Sequence, residues 1–241
     1  RYRVTPKGEG TFKTVKQTLD HILDLGGEAN VLCVVTEDIA KEPKRIFNAL
    51  KPYHFIQFIP CMNSLDGETS EYSLNPETFG DFLIETFDLY KESLQRGEKI
   101  SVRIFDNYLQ MLQGYPPDTC AMMGVCAHYF VAEGDGTIFP CDFYCTDQWK
   151  LGNIHEQSVP KMAKGNVAHA FVETSKPKPQ ACKDCDWLFL CRGGCRRDRP
   201  ILDDGSLGKS IWCESYLKFF AARGDELKAL SDQVFHTNRH S

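Results

Sequence analysis

The sequence predicts a mixed α/β chain in two parts: the back part of a larger α/β barrel, then a cysteine-rich domain closed by a C-terminal helix. Three observations predict it. Apolar runs of strand length alternate with helical periodicity through the first part of the chain. Nine of the eleven cysteines fall between Cys120 and Cys213, which marks a second, differently built region. From about Glu214 the apolar positions Tyr216, Phe219, Phe220, Leu227 and Leu230 recur on one face of a helix. With 42% hydrophobic and 25% charged residues over 241 positions, the chain is globular in composition, so disorder, collagen and a simple coiled coil are excluded.

The elements follow in order. Thr11 is placed to cap a helix carrying Phe12, Val15, Leu19, Ile22 and Leu23, and Gly26-Gly27 ends it. Asn30 to Val35 is a nearly continuous apolar run, as in a parallel strand buried on both faces. Pro43 suits the first turn of a helix bearing Ile46, Phe47 and Leu50, which Pro52 stops. Phe55 to Ile59 is a second strand. Asn75-Pro76 opens a long helix with Phe79, Phe82, Leu83, Phe87, Tyr90 and Leu94, closed by Gly97. Ile100 to Phe105 is a third strand. Three parallel strands leave an unpaired edge and half-covered helices, so a truncated chain is expected, the alternative being a partner subunit that supplies the rest. Tyr129–Ala132 and Thr137–Phe139 flank Glu133-Gly134-Asp135-Gly136, a hairpin signal. The domain boundary is set at 1–114 and 115–241.

Composition narrows the partners. A net charge of −5 argues against a general nucleic-acid surface. No run approaches the roughly 18 apolar residues of a membrane helix. An odd cysteine total weakens a disulfide framework. Zinc and iron–sulfur then compete for Cys120, Cys126, Cys141, Cys182, Cys185, Cys191, Cys195 and Cys213, since thiolates are soft ligands for both. Zinc ribbons pair two short knuckles per metal. Here the front group has one close pair and needs a thiol from the later group, which suits clusters better. Gly193 and Gly194 would let backbone approach a bulky ligand. Spacing alone leaves zinc open.

Cys126-x9-Gly136-x4-Cys141, then Cys182-x2-Cys185-x5-Cys191-x3-Cys195 and Cys213, resembles the SPASM domain of radical S-adenosylmethionine enzymes. Cys141-Asp142-Phe143-Tyr144, Leu151-Gly152-Asn153-Ile154 and Cys191-Arg192-Gly193-Gly194-Cys195-Arg196-Arg197, with the upstream Cys120, are similar to the anaerobic sulfatase-maturating enzymes. Gly10-Thr11-Phe12 and Val31-Leu32-Cys33-Val34-Val35-Thr36 extend the resemblance into the first part.

The resemblance implies a partial (β/α)6 TIM-like barrel, of which this chain holds the C-terminal part. It implies two auxiliary [4Fe-4S] clusters, one on Cys120, Cys126, Cys141 and Cys195, the other on Cys182, Cys185, Cys191 and Cys213. Asp142 becomes the catalytic base. Arg3 and Ile56 are loose carry-overs for contacts to S-adenosylmethionine; an exposed Arg and a core Ile are the plain alternatives. The family's Cys-x3-Cys-x2-Cys motif for a third [4Fe-4S] cluster does not occur in the sequence, so the chain alone is expected to be inactive.

The implied activity of the complete protein is oxidation of a Cys or Ser in an unfolded sulfatase to Cα-formylglycine. That change removes one Cβ hydrogen, one S–H or O–H proton and one further electron. A carboxylate can take the proton, and a nearby cluster the electron. A reductant such as flavodoxin or ferredoxin and a reducing cytoplasm are expected. The alternatives are a maturase acting on another peptide, for example by thioether cross-linking, and a non-catalytic zinc-binding module. Cys33 and Cys61 read as structural thiols and Cys145 as a spare one. Arg192, Arg196 and Arg197 either offset cluster charge, meet the substrate, or form a solvated basic face.

Overall fold

The computed structural model describes residues 3–64 and 68–237. The chain forms two compact units, divided between Asp106 and Asn107.

The first unit is a three-stranded parallel sheet with helices. Helix α1 (Phe12–Asp24) follows Thr11, whose hydroxyl turns back to the Arg3 carbonyl at 3.2 Å instead of capping the helix. Strand β1 (Asn30–Val35) leads to the short α2 (Glu37–Ala40) and to α3 (Pro43–Leu50), which starts at Pro43 as expected. A single 3-10 turn at Lys51–Tyr53 accommodates Pro52 before β2 (Phe55–Pro60). Helix α4 (Pro76–Gln95) is capped by Asn75, whose side chain accepts from the Glu77 amide at 2.8 Å. Strand β3 is only Ser101–Val102, and α5 (Arg103–Leu112) begins at once.

Two expectations are corrected here. The third strand does not extend to Phe105; the run Ile-Phe-x-x-Tyr-Leu-x-Met follows helical spacing, and Phe105 packs with Phe87 and Tyr90 at 5.3 and 5.5 Å between ring centroids. Strand β1 is not buried on both faces. Its residues alternate, with Leu32 and Val34 exposed and Val35 buried, because helices cover one face only. The strand order is β1-β2-β3, with Val31 beside Ile56 and Ile56 beside Val102. Phe58, Phe79, Phe82 and Phe87 fill the space between sheet and α4.

The second unit has little regular structure. Strands β4 (Val131–Ala132) and β5 (Thr137–Phe139) make the expected hairpin, and β6 (Gly152–Asn153) pairs antiparallel with β5. Four short helices follow: α6 (Val159–Ala163), α7 (Asn166–Glu173), α8 (Gln180–Lys183) and α9 (Leu188–Cys191). Helix α10 (Cys213–Thr237) ends the described chain. It packs Phe219 and Phe220 against Tyr108, and Phe220 stacks on Trp187 at 4.7 Å. No helix among the described residues is long and apolar enough to cross a membrane.

Candidate metal centre

The thiols of the second unit separate into two groups. Cys182, Cys185, Cys191 and Cys213 line one cavity of about 190 Å³, walled by Trp187, Leu188, Tyr216 and Phe220. Four elements deliver them: α8, the loop after it, the last residue of α9 and the first residue of α10. The charges of Cys213, Cys182 and Cys185 all act on Cys191. In the other group, the charge of Cys120 acts on Cys126, Cys141 and Cys195, and that of Cys126 on Cys195. None of the eleven cysteines is in a disulfide.

A turn decides which thiol goes where. Cys191 and Cys195 are separated by Arg192, Gly193 and Gly194, whose φ angles are 51°, 83° and 73°. Three consecutive left-handed residues reverse the chain, so that Cys191 faces the cavity and Cys195 the other group. Glycine allows this at little cost. A Cβ on Gly193 would also run into the Lys178 side chain, 2.8 Å from its Cδ.

Burial pushes the thiols up, Cys141 and Cys195 to about 12 and Cys191 to about 11. Taking a thiolate out of water disfavours its charge unless a cation compensates it. Iron or zinc would supply that compensation. A zinc site places sulfurs about 2.3 Å from one point. Among the described residues no three His, Cys, Asp or Glu side chains converge tightly enough for a single ion. The group of Cys182, Cys185, Cys191 and Cys213 lines a cavity with room for a bulky thiolate-bound group.

Asp142 begins a 3-10 turn, Asp142–Tyr144, directly after Cys141. It is exposed, and the Cys141 thiol donates to its Oδ1 at 3.3 Å. The turn is held from behind by Arg196. Arg196 is 7% exposed, and its guanidinium lies over Trp149, Phe171 and Tyr144 at 4.6, 5.0 and 5.4 Å, while Nη1 donates to the Phe171 carbonyl and Thr174 Oγ1. Arg196 is therefore no part of a solvated face; it ties the residue next to Cys195 to the turn that carries Asp142.

The remaining predicted positions lie elsewhere. Arg3 is exposed in the first unit, its carbonyl accepting from Thr11. Ile56 is 1% exposed in the middle of the sheet. Cys33 lies in β1, where burial raises its thiol to about 11, and Cys61 directly follows β2. Cys145 belongs to neither thiol group; its thiol faces the Cys141 carbonyl at 3.7 Å and sits near Glu133. His128 is hydrogen-bonded to the Ala168 carbonyl through Nε2 at 2.9 Å. Sequence reading missed Lys178 and Arg199, because a Lys between prolines and an Arg in a charged run look solvated. Arg199 is 4% exposed.

Residues 123–186 match the SPASM family, described as an iron–sulfur cluster-binding domain. A cysteine-type anaerobic sulfatase-maturating enzyme of Clostridium perfringens is 37% identical over 217 residues, 88% of this chain and 59% of that protein. A serine-type enzyme of Bacteroides thetaiotaomicron is 30% identical over 240 residues, covering 91% of this chain and 57% of that protein. The solved structure of native anSMEcpe with bound AdoMet and Cp18Cys peptide superposes with a TM-score of 0.90 at 34% identity, over 95% of this chain and 64% of that one. The chain thus spans about three fifths of the length of the curated relatives it matches. Over that span the chain is similar to anaerobic sulfatase-maturating enzymes, and part of its second unit matches the SPASM iron–sulfur cluster-binding family.

Proposed function

We propose that this chain is the auxiliary-cluster part of a radical S-adenosylmethionine enzyme that oxidises a Cys or Ser of a sulfatase polypeptide to Cα-formylglycine. The observation that carries the reading is the sorting of eight thiols into two sets of four, one around a cavity. Cys120, Cys126, Cys141 and Cys195 would hold one [4Fe-4S] cluster, and Cys182, Cys185, Cys191 and Cys213 the other. The parallel sheet of the first unit is read as part of a partial (β/α)6 barrel, whose next strand would pair with the outer edge of β1; the domains are then 1–114 and 115–241.

When bound, S-adenosylmethionine and the clusters supply hydrogen-atom abstraction and an electron acceptor. The rest falls to the chain's own groups. Asp142 is exposed on a short rigid turn, so its carboxylate can accept the substrate S–H or O–H proton. Ligation of Cys141 as thiolate would remove the thiol proton that Asp142 now accepts, leaving that oxygen available. Arg196 keeps the turn in place through its aromatic contacts. With Cys as substrate, the resulting thioaldehyde is hydrolysed by water to the aldehyde, releasing hydrogen sulfide. Relatives named cysteine-type are 34–37% identical and serine-type ones 22–30%, which favours Cys. A flavodoxin or ferredoxin is the proposed reductant in a reducing cytoplasm.

The test is metal content. Reconstituted anaerobically, the chain is expected to bind about eight iron and eight sulfide and to absorb broadly near roughly 400 nm. Stoichiometric zinc and a colourless protein would reject the reading. In the complete enzyme, a sulfatase peptide with Cys should be converted in preference to its Ser counterpart.

A further inference from the structure

We propose that Lys178 and Arg199 form a cationic bridge shared by the two thiol sets, setting the reduction potentials of both clusters together. The inference rests on the cluster reading above. Arg199 is buried and donates to four backbone carbonyls: Gly208 at 3.0 Å, Ser175 at 3.0 Å, Leu207 at 3.1 Å and Pro177 at 2.6 Å. Lys178 Nζ donates to the Gly124 carbonyl and to the same Ser175 carbonyl at 3.3 Å. Ser175 in turn accepts the Cys126 amide on its hydroxyl at 2.9 Å. The two cations therefore meet at a residue that positions a ligand of the first set. On the other side, the aliphatic stem of Lys178 passes close to Gly193, in the wall of the cavity of the second set.

Among the described residues, neither cation is in an ion pair. Carbonyl dipoles offset only part of the cost of burying such charges, and a net anion nearby is needed for the rest. The thiols are the candidates on both sides. The charges of Cys182 and Cys126 act on Arg199, and those of Cys182, Cys126 and Cys191 on Lys178, in each case opposing the downward pull of burial. A cluster held by four thiolates is a net anion, more so when reduced, so a fixed cation favours the reduced form and raises the potential. A cation serving both sets raises both. Lys209 offers a contrast. Cys213 and Cys182, both of the second set, act on it, it pairs with Glu214 at 3.3 Å, and its side chain is 47% exposed.

The experiment is an EPR-monitored redox titration of the anaerobically reconstituted chain, the two one-electron waves being assigned with Cys185→Ala. Lys178→Met is expected to lower both potentials, by a factor of about ten or more in the reduced-to-oxidised ratio, or about 59 mV. Lys178→Arg should keep both near wild type, and Lys209→Met should move only the second wave. Movement of one wave alone in Lys178→Met, or of neither at full iron content, would overturn the bridge. So would an equal shift in Lys178→Arg, which would point to packing. If Lys178→Met fails to assemble clusters, loss of both with retention in Lys178→Arg supports shared charge, and loss of one alone, or loss in Lys178→Arg as well, rejects it. A wild-type chain without iron would instead reject the cluster reading, and iron analysis shows that before any titration.

Discussion

Cys191 and Cys195 lie four positions apart, yet their thiols fall in different sets, because the left-handed turn between them reverses the chain. Single cysteines should therefore have separable effects. Cys185→Ala is expected to cost most of one cluster, about four of eight iron, while Cys145→Ala leaves the iron count unchanged. Iron and sulfide analysis checks both; loss of iron from the Cys145 variant would mean that the sets are misassigned. Asp142 is tested by Asp142→Asn in the complete enzyme. Asn keeps the shape of the side chain but cannot take a proton as a base. Iron content and S-adenosylmethionine binding should persist while formylglycine falls by roughly 10²-fold or more. Near-normal turnover would make Asp142 structural. The sequence marked the cysteines by their type and spacing, and Asp142 only through the family resemblance of Cys141-Asp142-Phe143-Tyr144. It did not mark Arg199 or Lys178, whose roles depend on burial.

At the scale of elements, α10 shows how packing reverses a local preference. Gly224 lies inside this helix, where Ala would ordinarily be more favourable by about 1 kcal/mol. A Cβ there would sit 2.8 Å from Trp187 Cζ2. Gly224→Ala should therefore destabilise the chain, by about 1–3 kcal/mol. Because Trp187 walls the second cavity, it should also weaken that cluster's assembly. Thermal melts and iron content check the two effects; a rise in Tm would refute the clash. In the first unit, Glu98 takes hydrogen bonds from Lys51 and Arg96, and Lys51 holds its carboxyl at about 2, below its ordinary 4.5. A lowered carboxylate stabilises the fold above pH 4.5 and loses that contribution as pH falls through about 2. Glu98→Gln should flatten stability over that window, lowering it at neutral pH and leaving it nearly unchanged below about pH 2. Salt should weaken the effect, since the pair is at the surface.

For the molecule as a whole, the expectation concerns where protection from exchange is lowest. Helix α1 has no buried residue, and β1 is paired on one side only among the described residues, with Leu32 and Val34 exposed. By contrast, α4 buries Phe79, Phe82, Leu83 and Phe87, and α10 buries Phe219, Phe220 and Leu227. Amides of α1 and β1 should exchange faster than those of α4 and α10 in the same chain. Uniform protection would contradict the proposal that the first unit is part of a barrel. Unpaired apolar strands also invite association.

The sequence by itself determined what depends on neighbours along the chain. Asn75-Pro76 begins α4 because cap and first turn are local chemistry, and Glu133 to Gly136 forms a hairpin turn for the same reason. It also determined that thiolates would be the chemistry of the second unit, through their number and spacing. The extent of β3 was decided by tertiary structure: Phe105 gains more from packing against Phe87 and Tyr90 in a helix than from extending a strand. Spacing did not assign Cys195 to the group of Cys120, Cys126 and Cys141, which the family resemblance implied and which the tertiary structure assembles; tertiary structure alone buried Arg196 and Arg199. The physical reason is that a thiol's partners and a cation's solvation are set by groups tens of residues away, which no local pattern encodes.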